Sequence, residues 1–298
     1  MQVIIIVKYN IEEGKNRLIL RDVNDFNPKH IFECGQAFRW KVEKDGSYTL
    51  VAHGRVLNVK KEDKDIVFSN TNLEEFSRIW YNYFDLARDY GAIKKDLSKD
   101  PILKDAVEYG QGLRILNQEP YETIVSFIIS ANNQIPRIKR SIELIAENYG
   151  DEIPYGHESH YSFPTPKKIS SLSTEELKEI SRVGFRAKRI IESSKIIHRK
   201  DIDLNSLYEI SKDQGKELLM KLPGVGPKVS DCILLFSFNK GDAFPVDTWV
   251  KRVMEHFYIK KDTSVKDIGL YGGEKFGNLA GFAQQYLFYY AREERIGK

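Results

Sequence analysis

Apolar and polar residues alternate with a period of two in three early runs: Phe38-Arg39-Trp40-Lys41-Val42, Tyr48-Thr49-Leu50-Val51-Ala52 and Arg55-Val56-Leu57-Asn58-Val59. This alternation predicts half-buried strands, and the Asp45-Gly46 step between the first two runs favours a tight hairpin. From about residue 73 the period lengthens, with Leu73, Phe76, Ile79, Trp80, Tyr83 and Phe84 recurring at helical spacing. Helical patterns follow at 101–111, 120–131, 135–149, 173–182, 186–199, 204–210, 213–221, 227–237, 248–258 and 278–293. Ser173 and Asp247 stand where N-caps belong. Strands first and helices afterwards argue for an α+β fold rather than a doubly wound α/β one. The expected organisation is an N-terminal antiparallel sheet domain over 1–98 and a mostly helical core over 99–298, in two subdomains. The stretch 151–166, with Pro154, Pro164 and Pro166, is expected to be a surface connection between those subdomains.

Composition narrows the classes. A chain of 298 residues, 41% hydrophobic and 30% charged, is long enough to bury a core and is not of the disordered type. No apolar run reaches the ~20 residues of a membrane span, and Val3-Ile4-Ile5-Ile6-Val7 is too short for a signal-peptide core of about 7–15 residues. A soluble intracellular protein is expected, cytoplasmic and nucleoid-associated if the source is prokaryotic. Cys34 and Cys232 are the only cysteines, so one chain builds neither a disulfide framework nor a four-thiolate iron–sulfur or zinc site. His157 and His160 lack the spacing of a zinc hydrolase and read as part of a solvated loop. A net charge of +3 permits nucleic acid as a partner without demanding it.

The most informative segment is Leu222-Pro223-Gly224-Val225-Gly226-Pro227-Lys228 within 213–237. One helix ends at Leu222, the two glycines permit backbone conformations closed to other residues, and Pro227 suits the first position of the next helix. This helix–hairpin–helix turns backbone N–H groups outward, where they can accept a phosphate oxygen without reading sequence. Further on, Phe244-Pro245-Val246-Asp247-Thr248 opens another helix.

Together these segments resemble the helix–hairpin–helix DNA glycosylase superfamily. Three more place the resemblance in its 8-oxoguanine branch: Cys34-Gly35-Gln36-Ala37-Phe38-Arg39-Trp40, Ser130-Ala131-Asn132-Asn133-Gln134-Ile135-Pro136-Arg137-Ile138 and Ala280-Gly281-Phe282-Ala283-Gln284-Gln285-Tyr286-Leu287-Phe288. The lack of a four-cysteine cluster separates the chain from iron–sulfur members such as endonuclease III. The resemblance implies a bifunctional DNA glycosylase and lyase acting as a monomer on duplex DNA that contains 8-oxoguanine, with no required cofactor. Two alternatives remain at this point: another damaged base, or a non-catalytic DNA-binding module.

Lys228 lies in the first turn of a helix, where the dipole and desolvation both disfavour the ammonium form and lower the pKa. An early-helix lysine can simply neutralise a phosphate; the resemblance instead makes Lys228 the nucleophile at C1′. Asp247 caps its helix, which is expected to keep its pKa low, and the resemblance gives its charge a role in stabilising the cationic sugar. For base recognition the resemblance implies the Gly35 carbonyl as acceptor of N7–H, Gln284 on the Watson–Crick edge, and Phe288 and Cys232 on the two faces. It assigns Asn132, Arg137, Phe185 and Arg186 to the gap and the opposite strand, and Gly224, Gly226 and Trp249 to the DNA backbone. Phe185 stands where eukaryotic relatives usually carry tyrosine, which leaves the opposite-base preference open. Trp249 stands where many superfamily members have a phosphate-contacting histidine. The backbone carbonyls of Met220, Leu222 and Val225 are candidates for a structural monovalent or calcium ion.

Overall fold

The computed structural model describes residues 9–156 and 158–297. The apolar start Val3–Val7 and His157 lie outside the described residues. Six strands, β1 (Asn10–Gly14), β2 (Arg17–Arg21), β3 (Trp40–Val42), β4 (Tyr48–Ala52), β5 (Arg55–Glu62) and β6 (Asp65–Ser69), form one sheet of order β1-β2-β6-β5-β4-β3. Every pairing is antiparallel, and Gly46 makes the β3–β4 turn at φ +81°. The alternating runs correspond to β3, β4 and β5. β1 is an exposed edge strand, and β2 buries Leu18, Ile19 and Leu20 in succession, so neither shows a period of two.

The sheet packs on α1 (Pro28–Phe32), α2 (Leu73–Glu75) and α3 (Tyr81–Tyr83), the last two joined by a π-helical turn over Phe76–Trp80. An aromatic core of Phe26, Phe32, Phe68, Phe76, Trp80 and Phe84 fills the space between. The helical part comprises α4 (Tyr90–Leu97), α5 (Pro101–Tyr109), α6 (Pro120–Ser130), α7 (Ile135–Tyr149), α8 (Pro166–Ser170), α9 (Thr174–Ser181), α10 (Arg186–His198), α11 (Lys212–Leu219), α12 (Pro227–Ser237), α13 (Thr248–Met254), α14 (Val265–Phe276) and α15 (Ala280–Glu293). α6 and α12 pack together at its centre, with Thr123–Ile129 and Val229–Ser237 buried throughout. Arg114 links the two cores: its guanidinium donates to the carbonyls of Asp25, Phe84 and Asp85 and stacks on Tyr90 at 4.2 Å.

Two expectations are corrected. The 151–166 segment is not a bare connection, because β7 (Glu152–Tyr155) and β8 (Glu158–Tyr161) pair as a hairpin. Arg39 donates to the Tyr161 carbonyl at 2.5 Å and Lys41 pairs with Glu158, which anchors that hairpin to the sheet domain. The 204–210 helix is a short 3-10 turn, Leu204–Tyr208. Helix α14 was not anticipated, because Gly269, Gly272 and Gly273 obscure its pattern; Gly272 is required where a Cβ would sit 2.5 Å from the Phe244 ring.

Candidate active site

The hairpin between α11 and α12 delivers Lys228. Gly224 takes φ +90°, and a Cβ there would lie 3.1 Å from Ile128 and 3.2 Å from Arg189, so glycine is needed for both conformation and space. Gly226 differs from the expectation: at φ −100° it is open to any residue, and it serves as the uncrowded N-cap of α12. Ser193 braces the turn by donating to the Pro223 carbonyl at 2.9 Å. Pro227 and Lys228 then open the helix, and the half-buried Lys228 ammonium sits 5.3 Å from the centre of the Phe127 ring.

Asp247 caps α13 by accepting the Val250 N–H at 2.8 Å. Its pKa departs from the expectation: burial pushes the carboxyl above its ordinary value, while the capping N–H and the charge of Lys228 pull the other way. A cap on a surface helix would lie low. This one sits in a wall of the site, where desolvation dominates.

Lys228, Asp247, Cys232, Gln284, Phe288 and Gly35 line one slot, narrowed further by Phe127, Phe236 and Pro245. Cys232 is one turn past Lys228 on α12; burial pushes its thiol up to about 11, leaving a neutral, polarisable wall at neutral pH. Gln284 and Phe288 are one turn apart on α15, and the Gln284 Oε1 is buried without a partner among the described residues. Gly35, at φ +78°, closes the slot from the sheet domain, where a Cβ would lie 3.1 Å from the Phe288 ring.

The slot opens into a larger cleft of about 740 Å³ that shares Gly35, Phe127, Lys228, Asp247 and Phe288 and adds residues 130–136, which include the α6–α7 loop, Trp249 and Arg292. Asn132 is exposed on that loop in the left-handed region at φ 51°, and Arg137 is exposed on the first turn of α7. Phe185 is 64% exposed at the mouth of the α9–α10 hairpin, under the guanidinium groups of Arg186 and Arg189. Arg186 is turned inward. It donates to the carbonyls of Ala131, Asn132 and Val183, so here it braces the loop that carries Asn132. Trp249 lies in the first turn of α13 with the Arg252 guanidinium 5.2 Å from its ring. At the hairpin, Leu222 O accepts the Val225 N–H, while the Met220 and Val225 carbonyls accept no hydrogen bond among the described residues.

Sequence reasoning missed Phe127, Gln285 and Arg292, all of which line the slot or cleft. Arg292 lies four residues after Phe288, so helical spacing alone puts it on that face. Phe127 carries no local signal, since an apolar residue inside a buried helix looks like any core position.

Residues 18–124 match the family model for the N-terminal domain of 8-oxoguanine DNA glycosylase. Residues 125–270 match that for the HhH-GPD superfamily base excision DNA repair protein. A probable N-glycosylase/DNA lyase of Methanothermobacter thermautotrophicus is 33% identical over 66% of this chain and 69% of its own. The structure of MBOgg1 in complex with a low-affinity DNA ligand superposes with a TM-score of 0.94 at 49% identity, over 97% of this chain and 99% of that one. The Clostridium acetobutylicum 8-oxoguanine glycosylase/lyase, in complex with double-stranded DNA containing cytosine opposite 8-oxoguanine, gives 0.94 at 47% identity, with 97% and 99% covered.

Proposed function

This chain belongs to the 8-oxoguanine DNA glycosylase family of the HhH-GPD superfamily, and we propose that it excises 8-oxoguanine from duplex DNA and nicks the strand with Lys228 as nucleophile. The observation that carries the reading is the single slot walled by an amine, a carboxyl, an unpaired amide, an aromatic ring and a backbone turn. Base excision on a flipped nucleotide calls for this set. Lys228 gives up a proton and its amine attacks C1′ as the bond to the base breaks and that bond's electron pair leaves with the base. The charge of Asp247 stabilises the cationic character that grows on the sugar. One nitrogen proton goes to the departing base, and as C1′=N forms the C1′–O4′ bond breaks and O4′ takes up a proton, which opens the ring and gives a Schiff base. Removal of a C2′ proton then expels the 3′ phosphate, which is β-elimination.

Phe288 and Cys232 take the two faces of the base, Gln284 its Watson–Crick edge, and the Gly35 carbonyl its N7–H, which guanine lacks. Asn132 and Phe185 fill the gap left by the flipped nucleotide. Arg137 meets the opposite strand, and Arg186 joins it there on release from the loop carbonyls. Gly224, Gly226 and Trp249 meet the phosphates. The Met220, Leu222 and Val225 carbonyls suit a hard monovalent or calcium ion, which would offset phosphate charge at the hairpin; the chemistry at C1′ does not pass through it. The division into residues 1–98 and 99–298, intracellular location and monomeric action belong to the same proposal. Among the described residues no helix is long and apolar enough to cross a membrane.

The test is excision and strand nicking on duplexes with 8-oxoguanine opposite each of the four bases, using the wild type and Lys228→Gln. The expected result is release and nicking by the wild type only, and the four duplexes rank the opposite bases. Binding without release by the wild type would overturn the enzymatic reading, and preferred release of another damaged base would overturn the substrate.

A further inference from the structure

Gln285, beside the base-facing Gln284, is 2% exposed, and its Nε2 donates to the Cys34 carbonyl at 3.0 Å and to the Cys34 sulfur at 3.3 Å. The carbonyls flanking Gly35 are all held. Glu33 O accepts from Arg292, Cys34 O from Gln285, and Gln36 O from the Gln118 side chain at 2.8 Å. The Gln36 side chain is itself locked, donating to Ile31 O and Arg114 O and accepting the Leu116 N–H. Among the described residues, nothing donates to the Gly35 carbonyl. A glycine at φ +78°, with no side chain of its own to pack, leaves the Cys34–Gly35 peptide more freedom to tilt than another residue would.

We propose that Gln285 is a positioning residue for damaged-base discrimination: it ties the Cys34–Gly35 peptide to the helix that carries Gln284 and Phe288, so that the one free carbonyl of the turn is fixed relative to the slot. This rests on the reading of Gly35 as the acceptor of N7–H. One helix then sets both the walls that meet the base and the position of the group that reads it. Cleavage of a pre-formed abasic site, which presents no base, does not need that carbonyl.

The experiment measures single-turnover release of 8-oxoguanine and of guanine, and cleavage of a pre-formed abasic site, for the wild type, Gln285→Met and Gln285→Glu. Gln285→Met keeps the volume and removes the donors. It is expected to lose about tenfold in 8-oxoguanine release and in selectivity over guanine, the scale of one hydrogen bond to a reading group. Abasic-site cleavage should stay within about threefold, which also shows that the variant is folded. Gln285→Glu can donate when protonated, so its release rate relative to the Met variant should rise as pH falls. Wild-type 8-oxoguanine release by Gln285→Met, or a parallel fall in release and abasic-site cleavage, would overturn the positioning role. Comparable wild-type release of guanine and 8-oxoguanine would instead overturn the reading of Gly35, whatever the variants do.

Discussion

Gly35→Ala is the substitution whose effect follows most directly from the geometry. At φ +78° a side chain costs about 1–2 kcal/mol in backbone strain. The new Cβ would stand 3.1 Å from Cε1 and 3.3 Å from Cζ of Phe288, against a comfortable ~3.5–4.0 Å, so the ring or the turn must give by several tenths of an ångström. Both groups wall the slot. A displacement of 1 Å at a reacting centre costs on the order of 10²-fold, so a shift of several tenths of an ångström is expected to lose about 5- to 30-fold in 8-oxoguanine release. The melting temperature should fall by only a few degrees, since 1 kcal/mol moves a chain of this size by about 2–4 °C. Single-turnover release should be measured beside cleavage of a pre-formed abasic site in one preparation. Release at the wild-type rate would refute the placement of Gly35 against Phe288, and equal loss in both assays would refute a base-specific role.

Asp247→Asn preserves an equally good cap, so stability should hold while base release falls about 10²- to 10³-fold, measured by single-turnover kinetics. Because burial raises the Asp247 pKa, wild-type release should lose its acid side above the usual aspartate range, and the Asn variant should lack that limb. Glu122 lies beside Arg39, and burial pushes its carboxyl from about 4.5 up to about 7, with the Arg39 charge opposing. The folded state therefore binds the extra proton between those values, so stability should fall as pH rises from about 4.5 to 7. Thermal melts of Glu122→Gln across that range should be flatter than wild type. Arg186→Ala removes charge-assisted bonds to the carbonyls of Ala131, Asn132 and Val183, worth about 1.5–3 kcal/mol each at most, so it should melt several degrees lower. Arg137→Ala, at an exposed position, should weaken DNA binding in a salt-dependent titration with no change in melting.

The elements legible in the sequence are those written in local punctuation. Pro227 and Gly224 mark the hairpin, Asp247 marks the start of α13, and the Asp45-Gly46 step marks the β3–β4 turn. Helix α14 was obscured by its glycines, of which Gly272 answers to tertiary packing against Phe244, and the β7–β8 hairpin by Pro154 and the turn glycine Gly156, residues that equally punctuate a loop. Residue types at the slot came from motif resemblance, but their states did not. The raised Asp247 pKa, the inward Arg186 and the clamp by Gln285 depend on burial and on partners remote in sequence. A carbonyl such as that of Gly35 leaves no side-chain signal at all, so only the resemblance pointed to it; that its neighbours are paired and it is not is visible only in the structure.

Reductive trapping tests the central claim most directly. Protein and a duplex with a single 8-oxoguanine are incubated with borohydride, and the cross-linked peptide is identified by mass spectrometry. The account predicts one adduct, on Lys228, absent from Lys228→Gln. An adduct on another amine, or base release by the wild type with no adduct, would contradict it.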